Sequence, residues 1–578
     1  MHVTDLPLNP ADLIARLSDQ GLFDDASLRH ALPGLPRHLP LLQALGQAEL
    51  TDQQGQPWDE SRFTRWYAQQ RGWVFHRIDP LETDVAAVTQ VMSLGFAQSH
   101  DILAVDVSPD EVLVAVVDPD DSRWVSGLEQ VSKRRVQRVL SPPSEIRKHR
   151  QEFYSLSQSI GAAIKKGDGH RLRDLEQLLD LSEARPSADD QSIVEVVDWV
   201  LRYAFEQRAS DIHVEPRRDE ANVRLRIDGI LHSVYQMPAQ IGAAMVSRFK
   251  ALGRMDVAEK RQPQDGRLKT RSPQGREVEL RLSTLPTAFG EKLVARIFDP
   301  EVLQKDFAEL GLTATDLETW QRMTARRDGI VLVTGPTGSG KTTTLYSTLR
   351  ALASDQVNLC TVEDPIELIE PAFNQVQVQH GIGLDFAAGM KSLLRQDPDI
   401  IMVGEIRDRE TADMAVQAAL TGHLVVSTLH TNDAPSAITS LLELGVPAYL
   451  LRATLVGVMA QRLTRTLCPH CKTAETPDPA AWQEFIAPFD APPPAEVYQA
   501  QGCERCRYTG YLGRAGVYEV LEFNESQRAE ISADMALEPW RQQAWQAGLT
   551  PLRLAGAQRV AAGLTTLEEV GRVTPPLH

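Results

Sequence analysis

Eight residues, Gly335-Pro-Thr-Gly-Ser-Gly-Lys-Thr342, fit the pattern G-x-x-x-x-G-K-[ST] and follow an apolar run, Val331-Leu-Val333. A segment compatible with a helix, Thr343 to Leu352, comes next. Strand, glycine-rich loop and helix together make a phosphate cradle: glycines let backbone N–H groups turn inward, and the helix start adds a positive field. The expected cradle is Gly335, Pro336, Thr337, Gly338, Ser339, Gly340, Lys341, Thr342 and Thr343. Lys341 is expected on the β- and γ-phosphates of a nucleoside triphosphate, and the Thr342 hydroxyl on Mg²⁺.

Three further stretches end apolar runs in polar chemistry, as strand ends that line a ligand crevice do. They are Thr361-Val-Glu-Asp-Pro-Ile-Glu367, Asp397-Pro-Asp-Ile-Ile-Met-Val-Gly-Glu405 with Ile406-Arg-Asp408, and Gly422-His423 through His430-Thr-Asn432. Phosphoryl transfer to water needs an oriented water, a base and cations on the transferring group. Glu363 and Glu405 are the available acids, Glu405 on a strand tip beside the phosphate loop, in the Walker B position. His430 either senses the γ-phosphate or satisfies a hydrogen bond within the sheet.

Cys468-Pro-His-Cys471 and Cys503-Glu-Arg-Cys506 are two C-x₂-C pairs separated by 31 residues. Two thiolates from each tight turn complete a closed tetrahedral Zn²⁺ site with no open position, so the role expected is structural. The separation exceeds the usual 15–20 residues and predicts a small subdomain between the pairs. His470 is the weaker alternative ligand. Cys360, without a partner at this spacing, is expected to be a buried apolar residue.

These groups need several elements to hold them. The chain has 578 residues, and at about 100–200 residues per domain three to five domains are expected. Residues 1–72 read as a helical docking or regulatory region, with Leu13, Leu17, Leu22 and Leu28 at roughly helical intervals and Asp24-Asp25 as a cap. Residues 73–155 carry short β-prone runs, Ile102–Val105 and Val112–Val117, and predict a compact α/β domain. Residues 156–190 are polar and read as a linker with one or two exposed helices. Residues 191–300 form another α/β domain, in which Arg224 and Arg226 alternate onto one strand face before a hairpin turn at Asp228-Gly229. Residues 301–467 show short apolar runs alternating with helical stretches, the mark of a buried parallel sheet. Residues 468–508 are the cysteine subdomain, and 509–578 are expected to be helical, with breaks at Gly548 and Gly563 and a cap at Thr565-Thr-Leu-Glu568.

The formal charge of −18 argues against a general nucleic-acid binder, although arginine clusters between Arg208 and Arg296. No apolar run approaches the roughly 18 residues of a membrane span. The longest, Ala448 to Leu463, is interrupted by Arg452 and predicts a soluble helix. Met1 to Gln20 has neither a basic start nor an apolar core, so no signal peptide is expected. Cytosolic placement follows unless a partner holds the chain at a membrane.

Taken together, these residues resemble the type II/IV secretion ATPase family, in its GspE/PulE/PilB branch of secretion and pilus-assembly ATPases. The matching stretches are Ala209–Pro216, Arg261–Arg267, Arg281–Thr284, Gly335–Thr342, Thr361–Glu367, Leu394–Asp408, Gly422–Thr431, the cysteine set and Leu564–Thr574. The likeness is dense from about residue 190 onward and looser over 73–154. It implies a multidomain α/β chain, with a RecA-like P-loop NTPase domain preceded by a PAS-like α/β domain. It further implies a homo-hexameric cytoplasmic ATPase, docked at an inner-membrane platform through partner proteins, using ATP, Mg²⁺ and Zn²⁺. In it Glu363 is the catalytic base, Glu405 the Walker B acid, and His423 and His430 the histidine box. Arg267, Arg281 and Arg296 would close over the γ-phosphate. The N-terminal region echoes cyclic-di-GMP modules only faintly, and the cysteine pairs argue against a pilus-retraction motor. A nucleotide-binding scaffold without turnover and a DNA-translocating ATPase are the competing readings. Intact Lys341, Thr342, Glu363 and Glu405 count against the first, the acidic charge against the second.

Overall fold

The computed structural model describes most of the chain; residues 1–15, 24–34, 53–57, 169–189 and 299–305, with positions 19, 21, 37, 38, 49, 81, 82, 274, 508 and 578, lie outside the described residues. The expected cap at Asp24-Asp25, the helical positions Leu13 and Leu28, and the body of the expected linker fall there. The chain divides into two compact units, residues 1–298 and 299–578.

The first unit begins with short helices, among them Leu41–Gly46 and Glu60–Arg71, the latter capped by the Asp59 carboxylate. A three-stranded sheet follows: β1 (Ile102–Val107), β2 (Glu111–Val116) and β3 (Arg135–Leu140). Residues 156–168, the start of the expected linker, lie in the helix Pro143–Asp168. Beyond the undescribed segment, the helix Gln191–Glu206 leads into β4 (Asp211–Pro216), β5 (Glu220–Ile227), β6 (Ile230–Pro238), β7 (Gln264–Arg271), β8 (Glu277–Thr287) and β9 (Gly290–Phe298). They form one antiparallel sheet in the order β6-β5-β4-β9-β8-β7. The expected turn closes it: Ile227 pairs with Ile230, and Asp228 and Gly229 take the left-handed angles of a two-residue hairpin. Alternate β5 residues, Val223, Leu225 and Ile227, are buried, and the helix Ala239–Leu252 packs on this sheet.

The second unit is built on β10 (Gly329–Thr334), β11 (Leu359–Glu363), β12 (Asn374–Gln377), β13 (Ile400–Val403), β14 (Leu424–Leu429) and β15 (Leu455–Leu467). Two short strands, β16 (Thr473–Glu475) and β17 (Val497–Gln499), pair with each other, and β18 (Tyr511–Glu522) joins the large sheet. Its order is β12-β11-β13-β14-β10-β15-β18, with every pair parallel except the last. Both faces are covered, since Ile330 and Leu332 of β10 feed one apolar cluster while Val331 and Val333 feed another.

Two expectations fail here. The run Ala448–Leu463 is helical only to Thr454 and then becomes β15. Buried strands and buried helices both read as unbroken apolar runs, and the β-branched Val456 and Val458 were the local sign of the strand. The tail is not wholly helical either: Tyr511–Glu522 is β18, drawn into the sheet by antiparallel pairing with β15. Helices Leu537–Gln546, Leu552–Ala561 and Leu567–Val573 follow, with positive φ at Gly548 and Gly563 between them. The last is capped by Thr566, one residue later than expected.

Candidate active site and metal centre

The carboxyl ends of β10, β14 and β13 lie along one edge, with Thr334 beside Leu429 and Ser427 beside Val403. The phosphate-loop motif leaves β10 there, and the helix Lys341–Leu352 starts at its end. Gly335 is required sterically. A Cβ on it would stand 2.6 Å from both Gln461 O and Ser339 Oγ and 3.1 Å from Arg462 Nη1. Lys341 Nζ donates to Gly335 O at 2.7 Å and to Pro336 O at 3.2 Å, so the ammonium lies over its own loop. Burial pulls its pKa down to about 8, with Glu405 opposing and Arg462 reinforcing the drop. Thr342 is the second residue of the helix, where the field favours phosphate and the hydroxyl is placed to ligate a cation bound to that phosphate.

Glu405 is not on the strand next to β10, because β14 intervenes. His430, at the tip of β14, fills that gap: its Nε2 lies 3.0 Å from Glu405 Oε2, while Arg407 pairs with Oε1. The contact fits the second reading of His430, a hydrogen bond made within the sheet, and its partner is Glu405. His423 precedes the same strand at its opposite end, bonded to Ala418 O at 2.9 Å, a strand length from the phosphate loop.

Glu363 closes β11 in full burial. Its Oε2 accepts from the Tyr346 hydroxyl at 2.6 Å, and its Oε1 from the Thr361 hydroxyl at 2.6 Å and Gln375 Nε2 at 3.2 Å. Both oxygens are thus committed, which suits an anchor rather than a base that must face water. Asp364 and Glu367 lie just beyond it, on the loop leading to β12.

In the other unit, register sets out a charged row that spacing could not reveal. Arg226 of β5 pairs with Asp211 of β4, Asp211 with Arg296 of β9, Arg296 with Arg281 of β8, and Arg281 with Arg267 of β7. Directly opposed residues share a sheet face, and like charges there repel. The row is partly compensated: Arg296 Nε lies 3.1 Å from Asp211, Arg267 lies 3.9 Å from Glu279, and the Arg281 guanidinium sits 4.7 Å over the Phe298 ring.

The four cysteines converge as expected, with all four Sγ atoms within 4.8 Å of one another. Cys468–Cys503, Cys471–Cys506 and Cys503–Cys506 are each 3.7 Å apart. A tetrahedron with Zn–S bonds of about 2.3 Å has edges of about 3.8 Å, so the donor set fits Zn²⁺ in size and chemistry. His470 turns to Arg505 instead, its Nε2 at 3.0 Å. Between the pairs lie β16, β17 and the helix Pro479–Ile486, whose Trp482 and Ile486 pack against Ala557, Val560 and Val570. Cys360 is buried, as expected, and burial pushes its thiol pKa up.

Unforeseen from sequence were Tyr346, Gln375, Gln461 and Arg462. The pair Gln461-Arg462 left one sign, two polar residues inside an apolar run. Gln461 Oε1 accepts from Thr344 at 2.7 Å, and Arg462 Nη2 donates to Asn432 O at 2.6 Å.

A glycine-rich phosphate loop at the edge of a parallel sheet, with an acid just past the tip of the strand two places away, defines a P-loop ATPase. Residues 186–572 match the family described as type II/IV secretion system protein, and residues 72–160 match the MshEN domain. The chain belongs to the type II/IV secretion system protein family. It is 51% identical over 539 residues to the type IV pilus assembly ATPase TfpB of Acinetobacter baylyi, covering 92% of each chain. It is 40% identical over 525 residues to the type IV pilus assembly ATPase PilB of Myxococcus xanthus, covering 90% of this chain and 92% of that one. To the type II secretion system ATPase E of Vibrio cholerae it is 40% identical over 461 residues, covering 79% and 87%.

Proposed function

We propose that the chain works as a homo-hexamer that hydrolyses ATP to ADP and phosphate and drives assembly of a type IV pilus. It would sit in the cytoplasm, held at the inner membrane by platform proteins; no helix among the described residues is long and apolar enough to cross a membrane. The observation that carries the reading is the near full-length likeness to two pilus-assembly ATPases, joined to an intact phosphate loop. Assembly of a secretion pseudopilus is the second reading, supported by the secretion relative.

In this reading the backbone of Gly335 to Thr343 cradles the triphosphate, and Lys341 exchanges its two loop carbonyls for phosphate oxygens. Thr342 and Glu405 are suited to hold Mg²⁺, which when bound neutralises charge on the phosphates. His430 and Arg407 orient Glu405. Glu363 is the expected base, and Glu367, on the loop that Glu363 anchors, is the second acid placed to serve. Arg267, Arg281 and Arg296 form a cationic row matched to a polyanion, and ATP closing that sheet onto the phosphate loop would turn nucleotide state into domain motion. Zn²⁺ on the four cysteines is structural.

The test is Lys341→Ala in the full chain, with phosphate release and pilus display both measured. Turnover falls at least a hundredfold and pili disappear in a strain relying on the variant. Near-parental ATPase activity in that variant refutes the assignment, and loss of secreted enzymes with pili retained selects the secretion reading.

A further inference from the structure

We propose that Tyr346 is a positioning residue for hydrolysis: its hydroxyl fastens the loop bearing Asp364 and Glu367 to the helix bearing Lys341 and Thr342. This rests on the ATPase reading above.

Tyr346 lies five residues after Lys341 in the same helix and is fully buried. Its hydroxyl donates to Glu363 Oε2 at 2.6 Å and accepts from Gln375 Nε2 at 3.1 Å and Leu368 N at 3.3 Å. Leu368 O, 3.1 Å away, is a second acceptor for the single phenol proton, so the hydroxyl is engaged on every side. The partners come from three different places: the end of β11, the edge strand β12, and the backbone of the acidic loop itself. Gln375 closes the circuit, its Nε2 also 2.8 Å from Leu368 O and 3.2 Å from Glu363 Oε1, so two amide protons are shared among three acceptors.

The ring alone does not account for this arrangement. It packs in an apolar cluster with Phe373, centroids 6.0 Å apart, a space that phenylalanine would fill equally. What the hydroxyl adds is a rigid tie between the phosphate-binding helix and the loop that supplies carboxylates. A displaced catalytic group costs on the order of 10²-fold in rate per ångström, so the tie acts on turnover more than on binding.

Tyr346→Phe in the full-length chain keeps the packing and removes the tie. We expect ATP affinity within about twofold of the parent and kcat lower by about tenfold or more, at a melting temperature changed by no more than a few degrees. Gln375→Leu, on the edge strand, should give the same split, and the double variant should be no slower than the slower single one, because both cut one network. If Tyr346→Phe does not fold, the Gln375→Leu split decides alone. An active parent whose Tyr346→Phe kcat stays within twofold overturns the inference. So does a kcat loss matched by an equal loss of ATP affinity, or one that adds fully to the Gln375→Leu loss. A parent without Lys341-dependent turnover instead overturns the ATPase reading.

Discussion

At the scale of single residues, the acids of the site separate by what already holds them. Glu363 accepts three side-chain hydrogen bonds inside the fold, whereas Glu405 is held by His430 and Arg407 at the crevice edge. A buried acceptor removed from its donors costs about 1–3 kcal/mol, so Glu363→Gln should lower the melting temperature together with activity. Glu367 follows on the loop, its backbone N–H 3.4 Å from Glu363 Oε2, and Glu367→Gln should lose hydrolysis while binding ATP at parental affinity. Thermal melts, ATP titrations and phosphate release on the same preparations check both. Hydrolysis at the parental rate in Glu367→Gln returns the base role to Glu363 or Asp364.

At the scale of elements, β18 does more than extend the sheet. It carries Glu519, fully buried, whose oxygens accept from Ala434 N and Leu552 N, each at 2.9 Å. One carboxylate thus ties the loop after His430 to the start of the helix Leu552–Ala561. Burial, reinforced by Asp433, raises its pKa from 4.5 to about 7, against the two N–H groups and Arg541. The folded state therefore binds more protons than the unfolded one between those values, and Glu519 costs stability as pH rises through that window, about 3 kcal/mol in full. In Glu519→Gln, which cannot titrate, melting temperature relative to the parent should rise from about pH 5 to about pH 8. Parallel curves would show that Glu519 is ionised throughout.

At the scale of the whole molecule, the phosphate loop lies in one unit and the row of arginines in the other. The cysteine site acts on the second unit alone, where it closes a subdomain whose own core is small. Metal analysis of purified protein should find about one zinc per chain. Cys503→Ser should lose that zinc and lower the melting temperature, and a metal-free protein of parental stability would reject the site.

How much was legible depended on how far apart the cooperating residues lie in the chain. The phosphate loop, the cysteine pairs and the Asp228-Gly229 hairpin were readable because their chemistry is local: a few consecutive residues set the backbone angles and present the groups. Whether Leu455–Leu467 is strand or helix was only weakly marked, by Val456 and Val458, because a buried apolar run suits either, and pairing with the distant β10 and β18 decides it. The same holds for Glu363. Its position at a strand end was visible, but Tyr346 and Gln375, which occupy its oxygens, belong to other elements. Sequence alone determined which groups this protein has for holding a nucleotide and a metal. Register and packing decided which of them are free to act, because hydrogen-bond commitment and like-charge alignment arise only between segments that the fold brings together.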